Sequence, residues 1–217
     1  MSAGAAGLFL AFEGPEGSGK SSQVTRLAER LRSEGLDPLV TREPGGSPAG
    51  ERIRDVLLDP VLRLDPLAEL LLYAAARSQH VVERIAPALA AGALVLTDRF
   101  SAATVAYQGH GRALDLSFVH ELNTRVTLGH RPHLTLLLDI APEVGLARVA
   151  ARGAADRLER ADLAFHRRVR AGFLAQADSD GERWRVIDAD DDEERVATAV
   201  WAAVEPVLHA WRQAARR

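Results

Sequence analysis

Residues 14 to 21, Gly14-Pro15-Glu16-Gly17-Ser18-Gly19-Lys20-Ser21, contain the single lysine of a 217-residue chain that otherwise writes its cations as arginine. Lysine is a compact point charge on a thin stem and arginine a wide planar fork. A position that keeps the ammonium amid this bias marks a site where a guanidinium would not fit. The stretch fits G-x-x-x-x-G-K-[ST], in which glycines let backbone N–H groups turn inward around a phosphate. A helix starting there adds the positive end of its dipole. Lys20 is expected to reach the β- and γ-phosphates of ATP, and the Ser21 hydroxyl to join the shell of a Mg²⁺ ion. The bland alternative is a glycine turn with a solvated lysine, and a strand before the loop with a helix after it leaves that alternative little room.

Both are present in the pattern. LFLAF (8–12) is a short apolar run of buried-strand type, and SSQVTRLAERLRSEG puts Val24, Leu27, Ala28 and Leu31 on one helical face before a capping Gly35. Further strands are read at 37–41, 93–97, 134–140 and 184–189. Helices are read at 49–58, 66–91, 114–128, 143–152, 159–177 and 191–212, with a frayed end at WRQAARR. Short apolar strands alternating with helices imply an α/β protein with a mainly parallel five-stranded sheet flanked by helices; with the phosphate loop after the first strand, a three-layer P-loop NTPase fold is expected. No repeat or linker interrupts residues 1–217, so a single domain is expected.

Composition removes several classes of function. The net charge of −3 offers no sequence-wide basic field for a nucleic acid polymer. The absence of cysteine excludes disulfides, thiol catalysis and Cys-ligated zinc, and suits a cytoplasmic protein. The start, MSAGAAGLFLAFEG, reads as the first strand and not as a signal peptide. The longest apolar stretch, LAELLLYAAA, contains Glu69 and runs into Arg77, so no membrane span is expected. His130 and His133 flank Arg-Pro with no third ligand nearby, which argues against a metal site there.

Other residues could act on what the loop binds. Asp98-Arg99 ends the third strand, where ligands of α/β proteins collect. The carboxylate there can orient Mg²⁺-bound water or an acceptor, and the arginine can clamp a phosphate; a strand-end ion pair would look the same. Tyr73 and Arg77 are four apart in a helix and share a face. They either stack on a base and donate to its carbonyl, or form core with a snorkelling arginine. Residues 148–170 carry seven arginines interrupted by Gly153-Ala154-Ala155-Asp156, a pattern that suits a lid at about 148–160. A guanine-reading N-K-x-D is impossible, because the only lysine is already used.

FEGPEGSGKSS, TREPGG, YAAARSQHV, DRFSAATVAYQG and ARVAARGAADRLER occur in this order, and over nearly its whole length the chain resembles the thymidylate kinases of the bacterial subgroup. The resemblance implies transfer of the ATP γ-phosphoryl group to dTMP, giving dTDP, by a protein that is typically a homodimer. It implies that Glu16 lies near the acceptor's sugar and phosphate, and that Glu43 and Pro44 line the monophosphate pocket while Arg54 helps hold the acceptor. Tyr73 would stack on thymine and Arg77 would donate to its O4. Arg99 would clamp the acceptor phosphate, and Asp98 would serve the metal. Thr104 and Gln108 would face the pyrimidine edge, with Tyr107 against the deoxyribose. The position after Asp98-Arg99 is often tyrosine in the family and is Phe100 here, which costs a hydroxyl. The IDA segment near Asp188 would border adenine. Family members supply a catalytic arginine from the phosphate loop or from the lid. The loop interior here, Pro-Glu-Gly-Ser, has none, so the lid must supply it, with Arg157 of DRLE the first choice and Arg152 the second. The competing readings are a kinase for another small acceptor, such as a deoxynucleoside, and a nucleotide-binding switch with little turnover.

Overall fold

The structure is a computed structural model and describes residues 7–153 and 156–215. Ala154 and Ala155 of the break expected for a lid, and Arg216 and Arg217 of the frayed end expected at WRQAARR, lie outside the described residues.

The first strand, β1 (Leu8–Glu13), is buried along its whole length. Such a strand needs cover on both faces and a neighbour on each edge, which is why it reads as a continuous apolar run. It pairs in parallel with β3 (Leu94–Asp98) and β4 (Leu134–Asp139). Outside these lie β2 (Leu39–Arg42) and β5 (Trp184–Asp188), giving the all-parallel order β2-β3-β1-β4-β5. The two edge strands are only partly buried, as edges are. All five strands begin and end within two residues of the positions expected from the sequence.

Helix α1 (Lys20–Ser33) buries Val24, Leu27, Ala28 and Leu31 against one face of the sheet, beside α9 (Glu193–Ala214). On the other face lie α2 (Pro48–Leu58), α3 (Pro66–His80), α6 (Leu116–Val126) and α8 (Leu163–Ser179). Ser47, Asp65, Asp115, Asp162 and Asp192 cap helix N-termini by accepting a backbone N–H, which fixes where those helices start.

Two stretches differ from expectation. The helix read over 66–91 is interrupted by a π turn, Val81–Ile85, before the short α4 (Ala86–Ala90). Pro87 lacks an N–H, and its ring would strike the carbonyl of residue 83; widening the preceding turn relieves both. Residues 101–111, for which no element was expected, form the short α5 (Ser101–Thr104) and a π turn, Val105–Gly111. Buried on nearly every side, this segment has no amphipathic period to read. Its wide turn presents Tyr107 and Gln108 on one side and leads into Arg112.

The sheet register brings the C-terminal ends of three strands level. Phe12 and Arg42 both pair with Asp98. The phosphate loop, Glu43-Pro44 and Asp98-Arg99 therefore emerge at one edge of the sheet, beside the strand around which the chain reverses direction.

Candidate active site

Gly14, Gly17 and Gly19 have φ of 147°, 71° and 82°, a region that side chains with a Cβ avoid. A Cβ on Gly14 would stand 2.4 Å from the Leu138 carbonyl oxygen, so the loop is packed to the backbone of β4. Lys20 opens α1 and is buried. Its Nζ donates to the carbonyls of Gly14 at 3.1 Å and Pro15 at 2.8 Å and to Ser18 Oγ at 3.2 Å. Three acceptors around one point match the three N–H bonds of an ammonium and not a planar fork, which answers why lysine is kept. Burial, with Arg99 nearby, lowers the Lys20 pKa to about 8.

At the loop mouth the Ser21 hydroxyl donates to Asp98 Oδ2 at 2.5 Å. Arg99 has φ 71°, unusual for arginine, and its N–H is held by the Phe12 carbonyl at 2.8 Å. This twist turns the guanidinium back over the loop, where it donates to Gly14 O at 3.0 Å, Glu16 Oε1 at 2.8 Å and Tyr107 Oη at 3.1 Å. Tyr107 in turn donates to Glu16 Oε1 at 2.6 Å. Burial would raise the Glu16 carboxyl, but Arg99, Lys20 and the Tyr107 hydroxyl outweigh it and hold its pKa at about 2. The acid inside the phosphate loop is thus a fixed anion that orients Arg99 and Tyr107.

A cavity of about 490 Å³ runs from Lys20 and Ser21, past Asp98, Arg99 and Arg54, to a wall made by Tyr73, Arg77, Thr104, Tyr107 and Gln108. Glu43 and Pro44 also line it. At the deep end Arg77 is almost fully buried. It donates from Nε to Glu43 Oε2 at 2.7 Å, from Nη1 to Thr104 Oγ1 at 2.8 Å and Asn123 Oδ1 at 3.0 Å, and from Nη2 to the Phe100 carbonyl at 3.0 Å. These four bonds leave one N–H of the five for a ligand. Glu43 acts mainly as the counter-ion that aims Arg77; its other oxygen lies 3.0 Å from His80 Nδ1, and His80 Nε2 lies 2.7 Å from Thr41 Oγ1. Arg54 Nη1 donates to the Pro44 carbonyl at 2.9 Å, which fixes it on the wall of the same cavity that Arg99 lines.

The arginines of residues 148–170 differ in what they touch. Arg152 ends α7 (Pro142–Arg152), is largely exposed, lines the cavity and pairs with Glu159 at 2.7 Å. Arg157 does not line it: its Nε donates to the Leu57 carbonyl at 2.9 Å and its Nη1 to Glu69, while its Nη2 is buried without a partner among the described residues. Arg148 reaches the Ala189 carbonyl at 2.8 Å and Asp190 at 3.2 Å, next to the IDA segment. Arg170 grips Asp139 through two 2.8 Å bonds, and Arg167 and Arg168 bind Glu143 and the Gly111 carbonyl. Elsewhere, His133 Nδ1 accepts the Phe9 N–H at 3.0 Å and is part of the strand scaffold.

Sequence reasoning missed Glu13, Glu69, Arg112 and Asn123. Glu13 is buried, accepts the N–H groups of Phe100 at 2.8 Å and Ala103 at 3.3 Å, and so shapes the turn behind Arg99. Glu69 accepts from Gln108, Arg112 and Arg157. For Glu69 a signal existed: it precedes Tyr73 and Arg77 at helical spacing and is an acid within an apolar run. Arg112 and Asn123 carry no such mark.

A family model described as thymidylate kinase matches residues 12–200. A thymidylate kinase from Deinococcus radiodurans is 51% identical over 203 residues, covering 94% of this chain and 98% of that protein. One from Thermomicrobium roseum is 52% identical over 206 residues, again covering 94% and 98%. The crystal structure of thymidylate kinase from Ehrlichia chaffeensis superposes with a TM-score of 0.76 at 33% identity, covering 92% of this chain and 99% of that one.

Proposed function

The chain belongs to the thymidylate kinase family, and on that premise we propose how its residues phosphorylate dTMP to dTDP. The observation that carries the reading is the single cavity joining the phosphate loop, an arginine pair and a base-sized wall. ATP enters with its β- and γ-phosphates on the loop amides and Lys20. Thymine lies against Tyr73, with the remaining N–H of Arg77 and the Thr104 hydroxyl toward its polar edge. Arg99 and Arg54 hold the acceptor phosphate, and Glu16 fixes Arg99. An oxygen of that phosphate attacks the γ-phosphorus, the bond to the β–γ bridging oxygen breaks, and ADP leaves. Little covalent work falls to the protein in such a transfer; its part is positioning and charge stabilisation.

Ser21 and Asp98 suit a Mg²⁺ ion. They are hard oxygen donors side by side at the loop mouth, and Mg²⁺ takes one or two protein oxygens with the rest from phosphates and water. When bound, the ion would supply positive charge that offsets the negative charge on the phosphates. From the lid, Arg152 is the residue we assign to the migrating group, because it lines the cavity. Arg148 and Ala189 would border adenine.

The single domain is read as one kinase unit, cytoplasmic and homodimeric. Exposed Leu67 and Leu71 on α3, with Leu116 and Phe118 on α6, support a second copy docking there. Among the described residues no helix is long and apolar enough to cross a membrane. A deoxynucleoside acceptor would need a free base at its hydroxyl, whereas Glu16 is committed to Arg99 and Tyr107.

The test is ADP formation with ATP, Mg²⁺ and each nucleoside monophosphate in turn. Turnover with dTMP well above dCMP, dGMP and AMP is expected. Equal turnover with dCMP would overturn the assignment of Arg77 and Thr104.

A further inference from the structure

Glu69 is fully buried on α3, yet no part of the transfer chemistry above uses it. Its Oε1 accepts from Gln108 Nε2 at 2.8 Å and Arg112 Nε at 3.2 Å; its Oε2 accepts from Arg112 Nη2 at 3.1 Å and from Arg157 Nη1. Three side chains from separate parts of the chain converge on one carboxylate. Gln108 is in the cavity wall, Arg112 closes the π turn, and Arg157 belongs to the segment after the lid break. Glu69, Tyr73 and Arg77 follow one another at four-residue spacing, so the carboxylate begins the same helical stripe that faces the acceptor cavity.

Arg157 is also fixed to the Leu57 carbonyl, at the end of the helix that carries Arg54. A fully buried carboxylate that loses one of its two guanidinium partners gives up a charge-assisted hydrogen bond that water cannot replace there. Whatever fixes Gln108 therefore favours the arrangement in which Arg157, and residues 156–161 with it, stay docked.

We infer that Glu69 is a positioning residue that couples occupancy of the acceptor cavity to docking of the 156–161 segment. This rests on the proposed binding of dTMP in the cavity whose wall includes Gln108. The linkage is reciprocal: acceptor binding orders the segment, and a docked segment tightens acceptor binding. The route runs from Gln108 through Glu69 to Arg157, without a contact between Arg157 and dTMP.

The experiment is hydrogen exchange on the full chain, without and with saturating dTMP and in the absence of ATP, with affinities from calorimetry. In the unsubstituted protein dTMP is expected to slow exchange both at 104–108 and at 156–161. In Glu69→Gln, slowing at 104–108 persists with Kd raised about tenfold, the scale of one lost charge-assisted hydrogen bond, while slowing at 156–161 disappears. A merely structural role would lower thermal stability and leave the dTMP-dependent protection of 156–161 in place; that result overturns the inference. Should Glu69→Gln not fold, Arg157→Gln leaves Glu69 paired with Arg112 and Gln108, and the same loss of protection is expected. Its survival there is equally fatal to the idea. Protection at 104–108 without any at 156–161 in the unsubstituted protein rejects the coupling alone. No protection at 104–108 rejects the acceptor placement itself, and the coupling with it.

Discussion

Gly17 and Gly145 meet through bare backbone: a Cβ on Gly17 would lie 2.1 Å from the Gly145 carbonyl oxygen, and one on Gly145 would lie 2.2 Å from that of Glu16. The first turn of α7 is therefore seated directly on the phosphate loop. Neither partner is a flexible side-chain end, so any added carbon must move main chain. Gly145→Ala is expected to displace the loop near Glu16 and raise KM for ATP about tenfold, equivalent to roughly 1.4 kcal/mol of lost binding. Overpacking is also expected to lower stability by about 1–3 kcal/mol. Steady-state titration of ATP and a urea melt read both; an unchanged KM for ATP would show that the loop does not depend on this seat.

Lys20→Arg is the sharper test of the loop. Three acceptors lie within 3.2 Å of a single nitrogen. A guanidinium spreads its donors over a plane and cannot converge on them without opening the loop. The variant is expected to lose kcat by at least about 100-fold, the scale of losing one preorganised charge donor, while dTMP still binds by calorimetry. Turnover near the original level would mean that charge alone, and not shape, selects lysine here.

Arg152 and Arg157 are five residues apart, yet Arg152 lines the cavity while Arg157 is held by the Leu57 carbonyl and Glu69. Arg152→Ala is expected to reduce kcat by about 10³-fold, as for other arginines that stabilise a migrating phosphoryl group, with little change in KM for ATP. Arg157→Ala, acting through Glu69, is expected to raise KM for dTMP more than it lowers kcat. Rapid single-turnover measurements of both variants decide between them. A larger kcat loss for Arg157→Ala would restore the choice made from the sequence.

That choice shows where the sequence stops being legible. Strands such as LFLAF are recognisable because central parallel strands are apolar throughout, and the phosphate loop because glycine spacing and one lysine are local features. Asp98-Arg99 is legible because it ends a strand. Arginines 152 and 157 look alike in a chain that uses arginine by default; only tertiary contact separates one at the cavity from one on Glu69. Arg77 and Glu43 are 34 residues apart, and no local pattern marks them as an ion pair. Thr104, Tyr107 and Gln108 are legible only through the family resemblance; the helical turns of 101–111 that carry them are not, because burial on nearly every side erases periodicity.

Glu13 gives a prediction in pH. Burial pushes its carboxyl up to about 7, against the opposing pull of Arg99 and the Phe100 N–H, and its Oε2 has no partner among the described residues. In the unfolded chain the same group ionises near 4.5. Between these values the folded state keeps a proton that the unfolded state has released, so stability falls as pH rises through that window and the loss is complete above about 7. Glu16 works in the opposite sense: its folded pKa of about 2 gives stability that is present above 4.5 and is lost as pH falls toward 2. Glu13→Gln keeps the shape and removes only the first titration, so Glu16 cancels in the comparison. The two proteins are expected to be similarly stable at pH 4, with Glu13→Gln more stable at pH 8 by up to about 3 kcal/mol. Urea unfolding at both pH values reads the difference. A gap that is the same at pH 4 and pH 8 would mean that Glu13 ionises in the folded protein as it does in the unfolded chain, so that burial does not raise it.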